Sequence, residues 1–213
     1  MDQTGLTNQL PWAAVILSAG KSSRMKEPKA LLRYDSRYSF IQKIVHEYKC
    51  AGCHKIIIVG NEYNFSQLSE QFDQTQALRP EIIINKNLEY ERFYSIKLGL
   101  GPCRTYNSCF IQHCDNPFIT SGILLKMIDL LMDGCYSVPV YKRQRGHPVL
   151  LSRLIMHELL SEEANDLNFR DFIQKFDVIE HITKDASVLC NINDQLDYQA
   201  FFNNNSLKYF TRQ

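Results

Sequence analysis

The sequence has no apolar run long enough to cross a bilayer, and residues 1–5 lack the basic and apolar blocks of a signal peptide. It also lacks an excess of either charge, because 24 Lys and Arg residues against 23 Asp and Glu residues leave a formal net charge of +1. Without a strong positive charge, the composition indicates neither a nucleic-acid partner nor an anionic membrane partner. We therefore expect a cytoplasmic globular protein that binds neither nucleic acid nor membrane.

The cysteines do not form an even set. There are seven of them, spread over a chain long enough to bury a full core, which favours reduced thiols over a disulfide framework. Cys50, Cys53 and His54 have the spacing used to attach c-type haem, but that attachment needs an exported chain. Gly52 between them is typical of a helix end before a strand, and no second Cys or His pair completes a zinc site.

Two common phosphate-binding motifs are also missing. There is no G-x-G-x-x-G and no G-x-x-x-x-G-K-[ST], since Gly20 stands alone in its loop. Instead, the apolar run 12–17 leads into small residues at 18–20, which let a backbone approach a ligand closely. Three cations follow, Lys21, Arg24 and Lys29, and cations at this place suit an anionic ligand such as a phosphate chain. The alternative is an ordinary strand-to-helix turn with solvated basic residues.

Apolar strands and amphipathic helices alternate along the chain. Continuous apolar runs predict strands at 12–17, 55–59, 81–85, 108–113, 135–141, 148–151, 178–182 and 188–192. Helical spacing predicts helices at 39–49, 65–72, 93–100, 121–131, 152–160, 168–176 and 194–202. This order is typical of an α/β protein with a Rossmann-like three-layer fold, in which helices cover both faces of a mostly parallel sheet. We expect a single domain at 12–203, between a loose lead-in at 1–11 and a polar tail at 204–213.

Ligands bind at the carboxyl ends of strands in such sheets, and the 18–29 loop and Asp115 both follow predicted strands. Asp115 is a candidate Mg²⁺ ligand there, or a plain turn residue before Asn116 and Pro117.

Several ordered motifs resemble one enzyme family. Residues 17–32 carry L-S-A-G-x-S-x-R-M-x-x-x-K-x-L-L, residues 114–120 a D-x-P turn, residues 145–151 R-G-H-P-V-L-L, and residues 191–198 N-I-N-D-Q-L-D-Y. Asp166 and Arg170 match parts of a G-D-x-G-A-R stretch. Together these motifs resemble the nucleotidyltransferases that attach a nucleotide to the molybdenum cofactor. The match favours the cytidylyltransferase branch, because Ala19 stands where the guanylyl branch has a second glycine.

The resemblance implies a reaction and a set of site residues. A phosphate oxygen of the acceptor would attack the α-phosphorus of CTP, or of another triphosphate, and pyrophosphate would leave. Arg24 and Lys29 would stabilise the charge on the triphosphate, and Asp115 with Asn193 would bind Mg²⁺. The nucleotide would contact Leu17, Ser18, Ala19, Gly20, Lys21, Ser22, Arg24 and Lys29. Arg145 and His147 would face the acceptor, a molybdopterin-type phosphate, and the product would pass to a molybdoenzyme or an insertion chaperone.

The sequence also allows other interpretations of these residues. Arg143 and Arg145 also fit a solvated hairpin tip, and His147 also fits a buried core histidine. Departures from the family pattern include Lys26 after R-M and asparagines at 165 and 168 in place of glycines. The family residues expected to bind the nucleotide are retained better than those expected to bind the acceptor. The rivals are a transferase that uses GTP or a sugar or alcohol phosphate, and a non-catalytic protein that only holds the cofactor.

Overall fold

An eight-stranded sheet runs through the centre of the computed structural model, which describes residues 10–20, 25, 27–72 and 79–203. The strands are β1 (Trp12–Leu17), β2 (Lys55–Gly60), β3 (Glu81–Ile84), β4 (Ser108–His113), β5 (Cys135–Tyr141), β6 (Gln144–Arg145), β7 (Val149–Ser152) and β8 (Asp177–Ile182). The helices are α1 (Phe40–Cys50), α2 (Phe65–Glu70), α3 (Glu91–Leu100), α4 (Ser121–Leu130), α5 (Arg153–Ser161), α6 (Phe169–Ile173) and α7 (Gln195–Asn203).

The strand order is β3-β2-β1-β4-β7-β5-β6, and β8 also pairs with β5. The first four strands are mutually parallel, as are β5 and β8, whereas β7 runs antiparallel to both of its neighbours. The predicted α/β class with a mostly parallel sheet is therefore confirmed. The carboxyl ends of β1 and β4 lie side by side, because Leu17 is in register with His113.

Each face of the sheet carries its own apolar layer. Side chains alternate along a strand, so Val15 and Leu17 of β1 pack with α3, α5 and α6, while Ala14 and Ile16 pack with α1 and α4. All six residues of β1 are buried, as expected for a central strand covered on both faces. This arrangement fixes β1 firmly and leaves the loop that follows it at the edge of the core.

The strand predicted at 188–192 is wrong. Ala186–Leu189 forms a 3₁₀ turn, which begins where the Asp185 carboxylate accepts a hydrogen bond from the Ser187 N–H. The backbone then bonds to separate neighbours instead of one strand: His147 N–H donates to Val188 O, and Ile192 N–H donates to Asp115 O. The apolar residues that suggested a strand are instead buried in two different apolar clusters, one of which packs on a face of the sheet.

No helix in the described part of the chain combines the length and apolar character needed to cross a membrane. Residues 1–9 and 204–213 lie outside the described residues. The division into lead-in, domain and tail therefore stays a prediction.

Candidate active site

A cavity of about 890 Å³ opens at the carboxyl ends of β1 and β4. One wall is the loop after β1, and the floor comes from the residues that follow β4. A second wall is formed by the segment leading into α3 and by the segment leading into α6. The lining residues are Leu17, Ser18, Ala19, Gly20, Lys29, Leu88, Glu89, Tyr90, Arg92, Phe93, Ser95, His113, Cys114, Asp115, Asp166, Leu167, Asn168, Phe169, Arg170 and Asn193.

Lys29 and Asp115 meet in this cavity although 86 positions separate them in the chain. The Lys29 Nζ atom lies 3.6 Å from Asp115 Oδ2, and the two side chains are 17% and 25% exposed. Lys29 is placed by a 3₁₀ turn, Lys29–Leu31, and Asp115 by the turn that ends β4. The site therefore offers one ammonium group and one carboxylate to the same small volume, an arrangement suited to a phosphate chain with a cation.

Asn193 reaches the same cavity beside Asp115. The N–H of the preceding Ile192 donates to the Asp115 carbonyl oxygen at 2.8 Å, and the Asn193 N–H donates to Asp197 Oδ2 at 2.8 Å. The start of α7 thus holds this segment against the end of β4. Among the described residues, no group of three or more His, Cys, Asp or Glu side chains is placed to hold a metal ion. A cation here would use the carboxylate and amide oxygens together with oxygens of its ligand, which is how Mg²⁺ is commonly bound.

Two histidines lie close together at the end of β4: His113, which lines the cavity, and His147. The rings of His113 and His147 are 4.9 Å apart between centroids. Burial, helped by His147, Arg92 and Lys29, holds the pKa of His113 well below its usual value. Burial also lowers the pKa of His147, which the Asp115 carboxylate partly offsets. Both rings are therefore neutral near pH 7. His147 does not line the cavity, and its Nδ1 atom has no hydrogen-bond partner in the described residues.

Arg145 is not brought to the cavity. Its Nε atom donates to Glu180 Oε1 at 2.8 Å, so that the side chain is engaged with β8 and remains about half exposed. The neighbouring Gly146 is needed for a close approach, since an added Cβ atom would lie 2.3 Å from the Val188 carbonyl oxygen. The R-G-H-P motif thus fixes the segment that leads to Asn193, and an acceptor role for Arg145 stays a prediction.

Three predicted site residues, Lys21, Ser22 and Arg24, lie outside the described residues, as does Lys26. Leu17, Ser18, Ala19 and Gly20 line the cavity as expected.

Arg92 was missed by the sequence argument. It lines the cavity at the start of α3, and its charge acts on both buried histidines. Arg92 belongs to none of the family motifs, and the sequence indicated its position near the sheet edge only by placing it before an apolar helix. Arg170 and Asp166, which the motif comparison did single out, line the second wall of the cavity. Lys97 of α3 secures the chain before that wall, because its Nζ atom donates to the Glu162 carbonyl and to Asn165 Oδ1.

Two buried asparagines after β2, Asn61 and Asn64, were also missed; they contact the loop after β1 from behind. Their signal was their position, directly after a strand that neighbours β1.

Comparison with known proteins identifies the family to which this chain belongs. The model of the MobA-like NTP transferase domain matches residues 14–181. The chain belongs to this family. It is accordingly a nucleotidyltransferase, and the cavity at the ends of β1 and β4 is its candidate active site.

Individual relatives agree with this assignment. The molybdenum cofactor cytidylyltransferase of Escherichia coli K12 is 26% identical over 186 residues, which cover 86% of this chain and 92% of that protein. The molybdenum cofactor guanylyltransferase of Xanthomonas euvesicatoria is 31% identical over 65 residues, 30% of this chain and 34% of that protein. The manganese complex of Rv0371c from Mycobacterium tuberculosis shares the fold, with a TM-score of 0.73, 19% identity, and coverage of 91% of this chain and 98% of that one.

Proposed function

We propose that this transferase uses CTP and a divalent cation, Mg²⁺ in the cell, to cytidylylate a phosphate-bearing acceptor of the molybdopterin type. The observation that carries the proposal is the meeting of Lys29 and Asp115 in one cavity beside the loop after β1. The choice of base is supported by the long match to a cytidylyltransferase and by Ala19, whose side chain is buried at the cavity wall. The rival base, guanine, is supported by the shorter match to a guanylyltransferase.

The residues present suit a divalent cation. Asp115 supplies a partly exposed carboxylate and Asn193 an amide oxygen, which are hard ligands, and both line the same cavity. A bound Mg²⁺ would neutralise charge on the phosphates and make the α-phosphorus more electrophilic. A manganese complex of a protein with the same fold is consistent with this assignment.

The protein's own groups would act by position and charge. A phosphate oxygen of the acceptor attacks the α-phosphorus, the bond from that phosphorus to the β-phosphate oxygen breaks, and pyrophosphate departs with the electron pair. Lys29 stabilises the negative charge that builds up on the leaving pyrophosphate. The nucleophile is already ionised near pH 7, so no general base is required, and neutral His113 and His147 are not assigned that role.

The acceptor would occupy the second wall of the cavity, formed by the segments leading into α3 and α6. Arg92 and Arg170 offer cations for its phosphate, while the exposed side chain of Tyr90 offers ring surface. We place Arg24, and with it Lys21 and Ser22, on the triphosphate by the motif comparison alone. A CTP-dependent enzyme with seven free thiols fits a cytoplasmic location, with a molybdoenzyme or an insertion chaperone as the partner that receives the product.

The test is a matrix of the four nucleoside triphosphates against molybdopterin cofactor, a sugar phosphate and an alcohol phosphate, with pyrophosphate release as the readout. Each pair is measured with Mg²⁺, with Mn²⁺ and with a chelator. We expect release only with CTP, the molybdopterin cofactor and a divalent cation. Preference for GTP, or turnover on a sugar phosphate alone, would refute the cytidylyl assignment. Triphosphate binding without any release would instead favour a non-catalytic cofactor carrier.

A further inference from the structure

The loop after β1 has its carbonyl groups held from behind by two asparagine side chains. Asn64 Nδ2 donates to the Ser18 carbonyl oxygen at 2.8 Å, and Asn61 Nδ2 donates to the Ala19 carbonyl oxygen at 2.9 Å. Both asparagines follow β2, the parallel neighbour of β1, and each is only 3% exposed. Consecutive carbonyl groups of the loop are therefore tied to the neighbouring strand connection.

The two side-chain amides have fixed orientations. Asn61 Oδ1 accepts hydrogen bonds from the N–H groups of Tyr63 and Asn64 at 2.9 and 3.0 Å. Asn64 Oδ1 accepts from the Asn61 N–H at 2.8 Å. If either amide were flipped, its NH₂ group would face a backbone donor, so each nitrogen must point toward the loop. Both side chains are thus held rigidly, and each contacts the loop after β1 by donating a hydrogen bond to a carbonyl oxygen.

Fixing those carbonyls also fixes the N–H groups on the other side of the same peptide units. In a planar trans peptide the N–H points opposite to the C=O. The N–H groups of Ala19 and Gly20 are therefore directed away from the asparagines. Within the described residues neither N–H has a hydrogen-bond acceptor, and Ser18, Ala19 and Gly20 line the cavity whereas the two asparagines do not.

We propose that Asn61 and Asn64 are positioning residues that aim the Ala19 and Gly20 N–H groups at the phosphate chain of the nucleoside triphosphate. The inference rests on the proposed function for the identity of the ligand. Adjacent N–H groups directed to one side form an anion-binding concavity, and fixing them beforehand avoids the entropic cost of ordering the loop when the ligand binds. Neither asparagine touches the ligand.

A matched control exists one strand further along the same edge. Asn85 follows β3, is 1% exposed, and is hydrogen-bonded through both amide atoms, to the Ser95 hydroxyl and the Asn87 N–H. It makes the same kind of buried contact but does not contact the loop after β1. Asn85→Asp therefore reports the general cost of placing a carboxylate at a buried asparagine.

The experiment compares full-length wild type with Asn61→Asp, Asn64→Asp and Asn85→Asp. The probe is inorganic tripolyphosphate with Mg²⁺, titrated by calorimetry, and thermal unfolding is recorded for each variant. We expect affinity at least tenfold weaker for the first two variants and within twofold of wild type for Asn85→Asp. In turnover assays the KM for the triphosphate rises while the KM for the acceptor changes little.

Gly60→Ala keeps the experiment informative if an aspartate variant does not fold. An added Cβ atom at Gly60 would lie 2.9 Å from Asn64 Oδ1 and 2.9 Å from a methyl group of Leu68, so it displaces the Asn64 amide without removing it. We expect at least threefold weaker tripolyphosphate binding. The proposal is overturned by wild-type affinity in folded Asn61→Asp, Asn64→Asp or Gly60→Ala, by an equal loss in Asn85→Asp, or by no binding to wild type. Because the probe has no base and needs no acceptor, failure of the cytidylyl assignment leaves this comparison intact.

Discussion

Replacing Asp115 by Asn tests the centre of the site with the smallest possible change. The substitution keeps the side-chain shape and one oxygen, but it removes the negative charge 3.6 Å from the Lys29 ammonium group. The backbone hydrogen bond from Ile192 N–H to the Asp115 carbonyl oxygen does not depend on the side chain. The segment that carries Asn193 should therefore stay in place.

The effect on stability can be bounded by Coulomb's law. For charges 3.6 Å apart, the attraction is about 1 kcal/mol in water and about 4–5 kcal/mol at an effective dielectric constant of 20. Both side chains are partly exposed, and Lys29 regains hydration when the carboxylate is lost, so we expect a stability loss of about 1 kcal/mol. The folded fraction at 25 °C should hardly change.

The effect on turnover should be much larger. Asp115 would act through the divalent cation that it holds, and losing one stabilising interaction with developing charge in an active site costs about 3–4 kcal/mol, or about 10²–10³-fold in rate. The assay is pyrophosphate release at saturating triphosphate and acceptor, with triphosphate affinity measured separately by calorimetry. A modest loss of affinity with a large loss of turnover is expected, because Lys29 would still be available to contact the phosphates.

The control is Glu81→Gln, which breaks the 2.6 Å ion pair between Lys55 and Glu81, outside the cavity lining. This variant should keep turnover within twofold of wild type. Turnover of Asp115→Asn within threefold of wild type would refute the assigned role of the carboxylate. A comparable loss in Glu81→Gln would show that the assay responds to ion-pair loss in general.

Three further predictions concern the scaffold around the site. Gly146→Ala places a Cβ atom 2.3 Å from the Val188 carbonyl oxygen, so we expect about 2–4 kcal/mol less stability in urea unfolding; unchanged stability would contradict the close packing. The pKa of His113 lies well below its unfolded value, so the folded state binds fewer protons and stability falls as the pH drops below about 6.5. Urea unfolding at pH 7.5 and 5.5 should show this loss of stability, and His113→Gln should make the loss smaller. An identical pH dependence in the variant would refute the role of His113. Cys50 is exposed, whereas burial raises the pKa of Cys53 and Cys114 to about 12, so native labelling with a thiol reagent and peptide mapping should find Cys50 modified first.

Much of the fold followed from local pattern. The continuous apolar runs of β1, β2 and β4 were long enough to be recognised as strands, and α1 and α4 showed a clear helical period. β6 was missed because two residues carry no period. The apolar residues at 188–192 were misread as a strand, since a short apolar run is compatible with any buried conformation and only the partners of its backbone decide between them.

The loop after β1 and Asp115 could be predicted from the sequence alone, because small residues, cations and a carboxylate directly after apolar strands indicate a phosphate site at one sheet edge. Only the tertiary structure decided which distant side chains join them. It brought Arg92 into the cavity and turned Arg145 toward Glu180 on β8. It also set Asn61 and Asn64 behind the loop. The physical reason is that strand order and packing, which no local pattern specifies, determine which loops lie next to one another.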